Sequence, residues 1–176
     1  MARSTRPQPA VRAPEGFEDE FPGADRRATE AFLNLGLLLG AVRGAVEQLV
    51  VEEGLPSMAA FNVLSVLAGD PEPLRPSVIA ARMMVTRATT TGVLSSLEAR
   101  GLIRRRDDAS DGRSHRIALT PQGRRVAARL VPRMHAFEAD LMGALGDADL
   151  DRLLDAVAVL QHRIAELAPG APLGIP

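Results

Sequence analysis

The chain has 176 residues, 46% of them hydrophobic, and no cysteine, a length that favours one domain with appended arms. Without cysteine there are no disulfides, no thiol redox sensor, no Cys nucleophile and no Cys-containing zinc site. Twenty-one basic residues against 22 acidic ones leave a net charge of −1, which taken as a whole argues against a nucleic-acid partner.

Residues 1–24 carry prolines at 7, 9, 14 and 22, an acidic cluster (Glu18, Asp19, Glu20) and no apolar periodicity, so they read as a flexible arm. From Asp25 to Val50, apolar residues at Phe32, Leu35, Leu38, Leu39, Val42, Val46, Leu49 and Val50 fall at helical spacing. Between Leu35 and Val42 this helix is apolar on nearly every side, and such a helix must be buried on all sides. In a chain of this size a partner subunit does that most simply. No unbroken apolar run reaches the roughly 18 to 20 residues that cross a bilayer. The longest lies within 31–42, contains Asn34 and ends at Arg43. Arg3, Arg6 and Arg12 are followed by no apolar leader segment, so the expectation is a cytoplasmic protein with no membrane partner.

Gly54, Leu55 and Pro56 break the pattern, and Ser57 caps a second helix with Met58, Phe61, Leu64, Val66 and Leu67 as its apolar set. A turn at 69–73 leads to a short helix over 77–83 opened by Pro76. After a break near Met84 and Val85, Thr86 caps a further helix to Arg100. There Thr90, Val93, Leu94 and Leu97 face the core, while Arg87, Ala88, Thr91, Gly92 and Ser95 form a small, polar outer face. Gly101 ends the helix as a left-handed cap. Strands over 102–106 and 114–119 follow, joined by a polar loop at 107–113, with Ile117 and Leu119 on one side and Arg116 and Ala118 on the other. Thr120-Pro121 starts a long helix to about Leu145 that meets Pro132 and bends there. Past Gly146, a final helix carries Leu150, Leu153, Leu154, Val157, Leu160, Ile164 and Leu167 in one stripe before a Pro- and Gly-rich tail.

The charge is segregated along this order. Residues 75–125 contain 11 Arg and four acids, a net of +7, so the remainder carries −8. Every basic residue is Arg; GC-rich coding accounts for that skew, yet each guanidinium is a planar fork suited to phosphate and base edges. Two helices joined by a short turn, the second with a small polar face, followed by an Arg-bearing hairpin, form a winged helix-turn-helix, which places one helix in a DNA major groove.

Six segments carry a family resemblance: Phe61-Asn-Val-Leu-Ser-Val-Leu67, Arg75-Pro-Ser-Val-Ile-Ala-Ala-Arg-Met83, Val85-Thr-Arg-Ala-Thr-Thr-Thr91, Leu97-Glu-Ala-Arg-Gly-Leu-Ile-Arg-Arg105, Asp111-Gly-Arg-Ser114 and Leu119-Thr-Pro-Gln-Gly123. In this order and spacing the chain resembles the MarR family of transcriptional regulators. The resemblance implies a mainly α fold with an N-terminal dimerisation helix (25–56), a winged helix-turn-helix with a two-stranded β wing (57–120) and C-terminal dimerisation helices (121–168); the flexible arm (1–24) and the flexible tail (169–176), read from composition, lie outside it. It implies that Thr86, Arg87, Thr89 and Thr91 meet DNA from the recognition helix, with Ser95 on the same face. It also implies that Arg113 enters the minor groove from the wing, oriented by Asp111, where a cation reads groove width. Asp111 before Gly112 serves equally as a turn-forming residue. Arg106 and Arg116 extend the wing's DNA-facing set. Arg104, Arg105 and Arg106 read as a phosphate clamp, with at least one of them paired to Glu98 or a loop Asp. Arg124 and Arg125 lie in a helical first turn, where the dipole disfavours cations and a phosphate would be a partner.

Departures from the family pattern are Met84 in the turn, Arg75 in place of a hydroxyl cap, and Gly92 and Ser95 where longer polar side chains are common. The resulting expectation is a homodimeric regulator, more a repressor than an activator, on a pseudo-palindromic operator in double-stranded DNA. Either a small organic effector, largely apolar or anionic, releases it, or it has none. No cofactor is expected. His115, His135 and His162 show no metal-ligand spacing. Asp111, Ser114 and His115 are too crowded on one hairpin to form a hydrolytic triad, so no enzyme is expected. The alternative is a winged-helix interaction module that has lost DNA binding.

Overall fold

In the computed structural model, residues 9–83, 87–108 and 111–168 are described, with backbone alone at 87–88, 108 and 111–114. Among them the order is α1 (Phe17–Glu20), α2 (Arg26–Glu52), α3 (Met58–Ala68), α4 (Pro76–Met83), α5 (Arg87–Ala99), β1 (Ile103–Asp108), β2 (Asp111–Leu119), α6 (Pro121–Gly143) and α7 (Asp147–Leu167). The chain divides into two compact units, residues 1–48 and 49–176. Met84 and Thr86, and the tail from 169, lie outside the described residues.

In the first unit α2 starts where Asp25 accepts the Ala28 N–H at 2.9 Å, an N-cap that satisfies one orphan donor. The arm expected to be flexible is anchored at 11–13. The Val11 N–H donates to Asn34 Oδ1 at 3.0 Å, Asn34 Nδ2 donates to the Val11 carbonyl at 2.9 Å, and the Ala13 N–H donates to Glu30 at 2.9 Å. The anchor is polar and spans 17 to 23 residues, so a search for apolar periodicity could not find it.

A second correction concerns hydropathy. An 18-residue window of α2 reaches a mean hydropathy of 1.3 with only 6% of it buried, so by length and composition the helix could cross a bilayer. Counting unbroken apolar residues missed this because Asn34 and Arg43 interrupt the run without lowering the window average much. An apolar helix left uncovered by its own chain equally describes one that packs on another protein.

The second unit is built around α3, which packs against α4, α5, α6 and β2. Ser57 accepts the Ala60 N–H at 3.2 Å and starts α3 as its sequence signature requires. Leu64, Ile79, Leu97, Ile117, Leu130 and Met134 fill the core, each almost wholly buried. Gly101 takes φ 69°, the left-handed cap. Thr120 caps α6 by accepting the Gly123 N–H at 3.0 Å, with Pro121 at the first helical position.

The chain then passes Pro132 without leaving the helix. Proline removes one backbone donor, so the Ala128 carbonyl lacks its usual helical partner. Beside that point, both Glu53 oxygens are taken: Arg129 Nε donates at 2.9 Å and Arg133 Nη1 at 3.0 Å, while Arg133 Nη2 donates to Glu52 at 2.8 Å. Glu52 first and Glu53 second hold the Arg133 guanidinium protonated beyond its usual range. Along α7 no residue is buried, and Leu154, Val159, Leu160 and Leu167 are more than half exposed.

Candidate nucleic-acid interface

The helix α5 has two faces of opposite character. Thr90, Leu94 and Leu97 are buried and Val93 is half-buried, which locks the helix onto the core. Thr89, Thr91, Gly92 and Ser95 are exposed on the other side. Their short side chains leave a flat surface that carries hydroxyl groups, the kind of helix face that approaches base edges closely. Thr86 falls outside the described residues, and at Arg87 only the backbone, the first residue of α5, is described.

The hairpin is longer than its apolar residues predicted. Strand β1 runs to Asp108 and β2 begins at Asp111, so 109–110 connect them, in place of an open loop over 107–113. Backbone ladder bonds need no apolar side chain, so polar residues extend the pairing, with a register irregularity between Asp107 and Asp108. Asp111 and Arg113 therefore sit at the tip end of β2 by their backbone.

The register is Ile103 opposite Leu119, Arg104 opposite Ala118, Arg105 opposite Ile117 and Arg106 opposite Arg116. Ile103, Ile117 and Leu119 are buried, and Arg105 on that same face reaches Glu98 of α5 at 2.9 Å. The opposite face carries Arg104, Arg106, Arg116 and Ala118. Arg106 and Arg116 face each other directly across the ladder, a placement in which like charges repel. Arg116 Nη1 donates to the Pro73 carbonyl at 3.2 Å. Leu74 and Ile117 exchange backbone bonds of 3.0 and 2.8 Å, which ties the wing to the turn ahead of α4. Among the described residues, no carboxylate pairs with Arg104, Arg106 or Arg125. Arg124, a phosphate candidate from sequence, donates to the Leu119 carbonyl at 3.0 Å.

Two features escaped the sequence reading. One is Gly123, where any Cβ would overlap the backbone carbonyl of Leu102, so α6 and the start of the wing touch at van der Waals distance. The other is a cavity of about 740 Å³ between the wing base, the turn at 70–73 and the first half of α6. Arg104, Arg106 and Arg124 line it together with Leu67, Ala127, Ala128, Val131 and Pro132. Asp70 and Glu72 also line it, and Asp70 is bound by Arg82 at 2.9 Å.

A family model described as the MarR family matches residues 53–114. The chain is similar to the HTH-type transcriptional repressor YetL of Bacillus subtilis (strain 168), 28% identical over 149 residues, 84% of this chain and 88% of YetL. Among solved structures it is similar to CouR from Rhodococcus jostii RHA1 bound to p-coumaroyl-CoA, at 27% identity and TM-score 0.59, covering 78% of this chain and 91% of CouR. It is also similar to PcaV from Streptomyces coelicolor in complex with its natural ligand, at 26% identity and TM-score 0.57, covering 76% and 92%.

Proposed function

We propose that this chain, whose residues 53–114 match a MarR family model, is a MarR-like homodimeric, DNA-binding repressor released by a small organic anion. One observation carries the DNA-binding part. A helix with a buried inner face presents Thr89, Thr91, Gly92 and Ser95 outward, directly ahead of a wing whose open face bears Arg104, Arg106 and Arg116. In this reading α5 enters the major groove with Thr86 and Arg87 at its start. The wing cations, with Arg113 and its partner Asp111 at the tip, meet phosphates and the minor groove.

The dimer follows from the uncovered apolar residues. Phe32, Leu38 and Leu39 of α2 and, separately, Leu154, Leu160 and Leu167 of α7 are exposed, and an exposed apolar helix face marks a protein contact. A second copy covers it, with regions 25–56 and 121–168 supplying the dimerisation helices. Two-fold symmetry then makes the operator a pseudo-palindrome. The protein works where its DNA is, in the cytoplasm. The repressor sense is supported by YetL, whose name states it.

The cavity suits the effector. Its volume of about 740 Å³ lies in the usual range for small-molecule sites, and a lining that combines arginines with apolar side chains suits a molecule with an anionic head and an apolar body. Ligand complexes of CouR and PcaV support a ligand-responsive reading. Arg104 and Arg106 belong both to the cavity and to the wing's open face, so an anion held there weakens DNA binding, and DNA weakens the anion by the same factor.

Binding of fluorescent duplex DNA across a salt series tests the reading. The logarithm of affinity is expected to fall linearly with the logarithm of salt, by about 0.9 per phosphate contacted. A flat response would sink DNA binding and leave the interaction-module alternative.

A further inference from the structure

We infer that Glu53 is a positioning residue that sets the distance between the two DNA half-sites. It acts as a clamp across a proline hinge in α6. The inference rests on the dimeric, DNA-binding reading above and names a determinant of its geometry.

Up to Met134, α6 is part of the lobe core through Gly123, Val126, Ala127, Leu130 and Met134; beyond it the helix buries nothing among the described residues. The change comes two residues after Pro132, where the helix lacks one backbone hydrogen bond and bends most easily. Arg129 and Arg133 lie on either side of that proline, and Glu53 grips both. Its side chain is only 11% exposed, its two oxygens are both occupied, and Glu52 holds Arg133 a second time. An isolated surface ion pair contributes little, but a network of four charges on a mostly buried carboxylate holds one geometry. The partners are 76 to 81 residues apart in sequence, so the clamp is a tertiary constraint and adds nothing to local helix formation. On another side of the same hinge, Ala128, Val131 and Pro132 line the cavity, so a ligand there pushes on the segment that the clamp holds.

The leverage is sufficient. The stretch from 121 to 132 is about 17 Å long at a rise of about 1.5 Å per residue, so a turn of about 10° at its end moves the other end by about 3 Å. That is close to one base-pair step of about 3.4 Å, and in a two-fold dimer both lobes move.

The test starts with in vitro selection of duplexes from a random pool by the full-length protein, which gives the half-site and its spacing. Affinities are then measured for the selected spacing and for one base pair more and one fewer, with wild type, Glu53→Gln and Arg129→Gln. Arg129 is 56% exposed, so its variant folds even if loss of the Glu53 charge proves costly. The inference expects both variants to keep the half-site sequence. It expects the preference for the selected spacing to fall by about fivefold, the low end of ordinary coupling between sites. A uniform loss of affinity at all three spacings, or no change, would overturn the clamp and leave the regulator intact. Selection of no paired half-sites by wild type would overturn the dimeric reading, and the clamp with it.

Discussion

Gly123→Ala gives the sharpest test of how the wing is held. The backbone at Gly123 is ordinary helix, so the glycine is required by space and not by its torsion angles. An added Cβ would overlap the carbonyl oxygen of Leu102 and lie 2.9 Å from its carbonyl carbon. Both are backbone atoms at the entrance to β1 and cannot rotate aside. Relief requires the first turn of α6 to retreat, which strains the two bonds from Thr120 to that same carbonyl, 3.0 Å from its N–H and 3.2 Å from its hydroxyl. Overpacking costs about 1 to 3 kcal/mol, and each weakened hydrogen bond adds about 0.5 to 1.5 kcal/mol. The better helix propensity of Ala returns about 1 kcal/mol. The net loss is about 3 kcal/mol, a fall in Tm of roughly 6 to 12 °C for a chain of this length, compared at one protein concentration because dimerisation contributes. Scanning calorimetry or urea unfolding reads it. Gly92→Ala, with no heavy atom within 4 Å, is the control and should gain up to about 1 kcal/mol of stability. If Gly123→Ala were as stable as wild type, the close contact between α6 and the wing would be refuted.

Arg113→Ala is expected to weaken operator binding by about 1 to 3 kcal/mol while leaving the dimer intact in sedimentation; unchanged affinity would mean that the wing tip does not touch DNA. Arg104→Gln and Arg106→Gln should each lower the salt slope by about 0.9 if each meets a phosphate, and an unaltered slope would remove that residue from the interface. Val131→Trp fills the cavity, so organic anions should no longer release the DNA complex although its salt dependence persists; undiminished release would place the effector elsewhere. Asn34→Ala removes both bonds to Val11, and limited proteolysis between 9 and 24 should accelerate, whereas an unchanged cleavage rate would show that Asn34 does not anchor the arm.

What the sequence made legible was local. Ser57 and Thr120 cap helices because a hydroxyl accepts from a backbone N–H three residues on, and Gly101 ends α5 because a positive φ favours glycine. The alternation that put Ile117 and Leu119 inside and Arg116 and Ala118 outside holds for the same reason. The features that were illegible join residues far apart in the chain. The Leu119-Thr-Pro-Gln-Gly123 segment was recognisable as a motif, yet the need for its glycine depends on the carbonyl of Leu102. The Glu53 clamp, the Asn34 anchor and the cavity wall likewise have no local pattern, because each is made by packing.

The same distinction changes the meaning of the charge. A net of +7 over 75–125 treats all 11 guanidinium groups alike, but the fold does not. Arg82 and Arg105 are neutralised by Asp70 and Glu98. Arg100 and Arg124 are oriented by the carbonyls of Gly54 and Leu119, which fixes their positions and leaves their charge in place, and Arg116 donates to the carbonyl of Pro73. Arg104 and Arg106 stand on one face of β1, with Arg116 across from Arg106. In the proposed reading, the attraction for DNA is therefore set by a short row of cations on the wing and not by the segment's total. Because two members of that row also line the cavity, the same reading has an anion there remove a large part of the field that holds the operator. A repressor built this way can be released by charge alone, before any lobe has moved, and a clamp at Pro132 then decides how far the lobes follow.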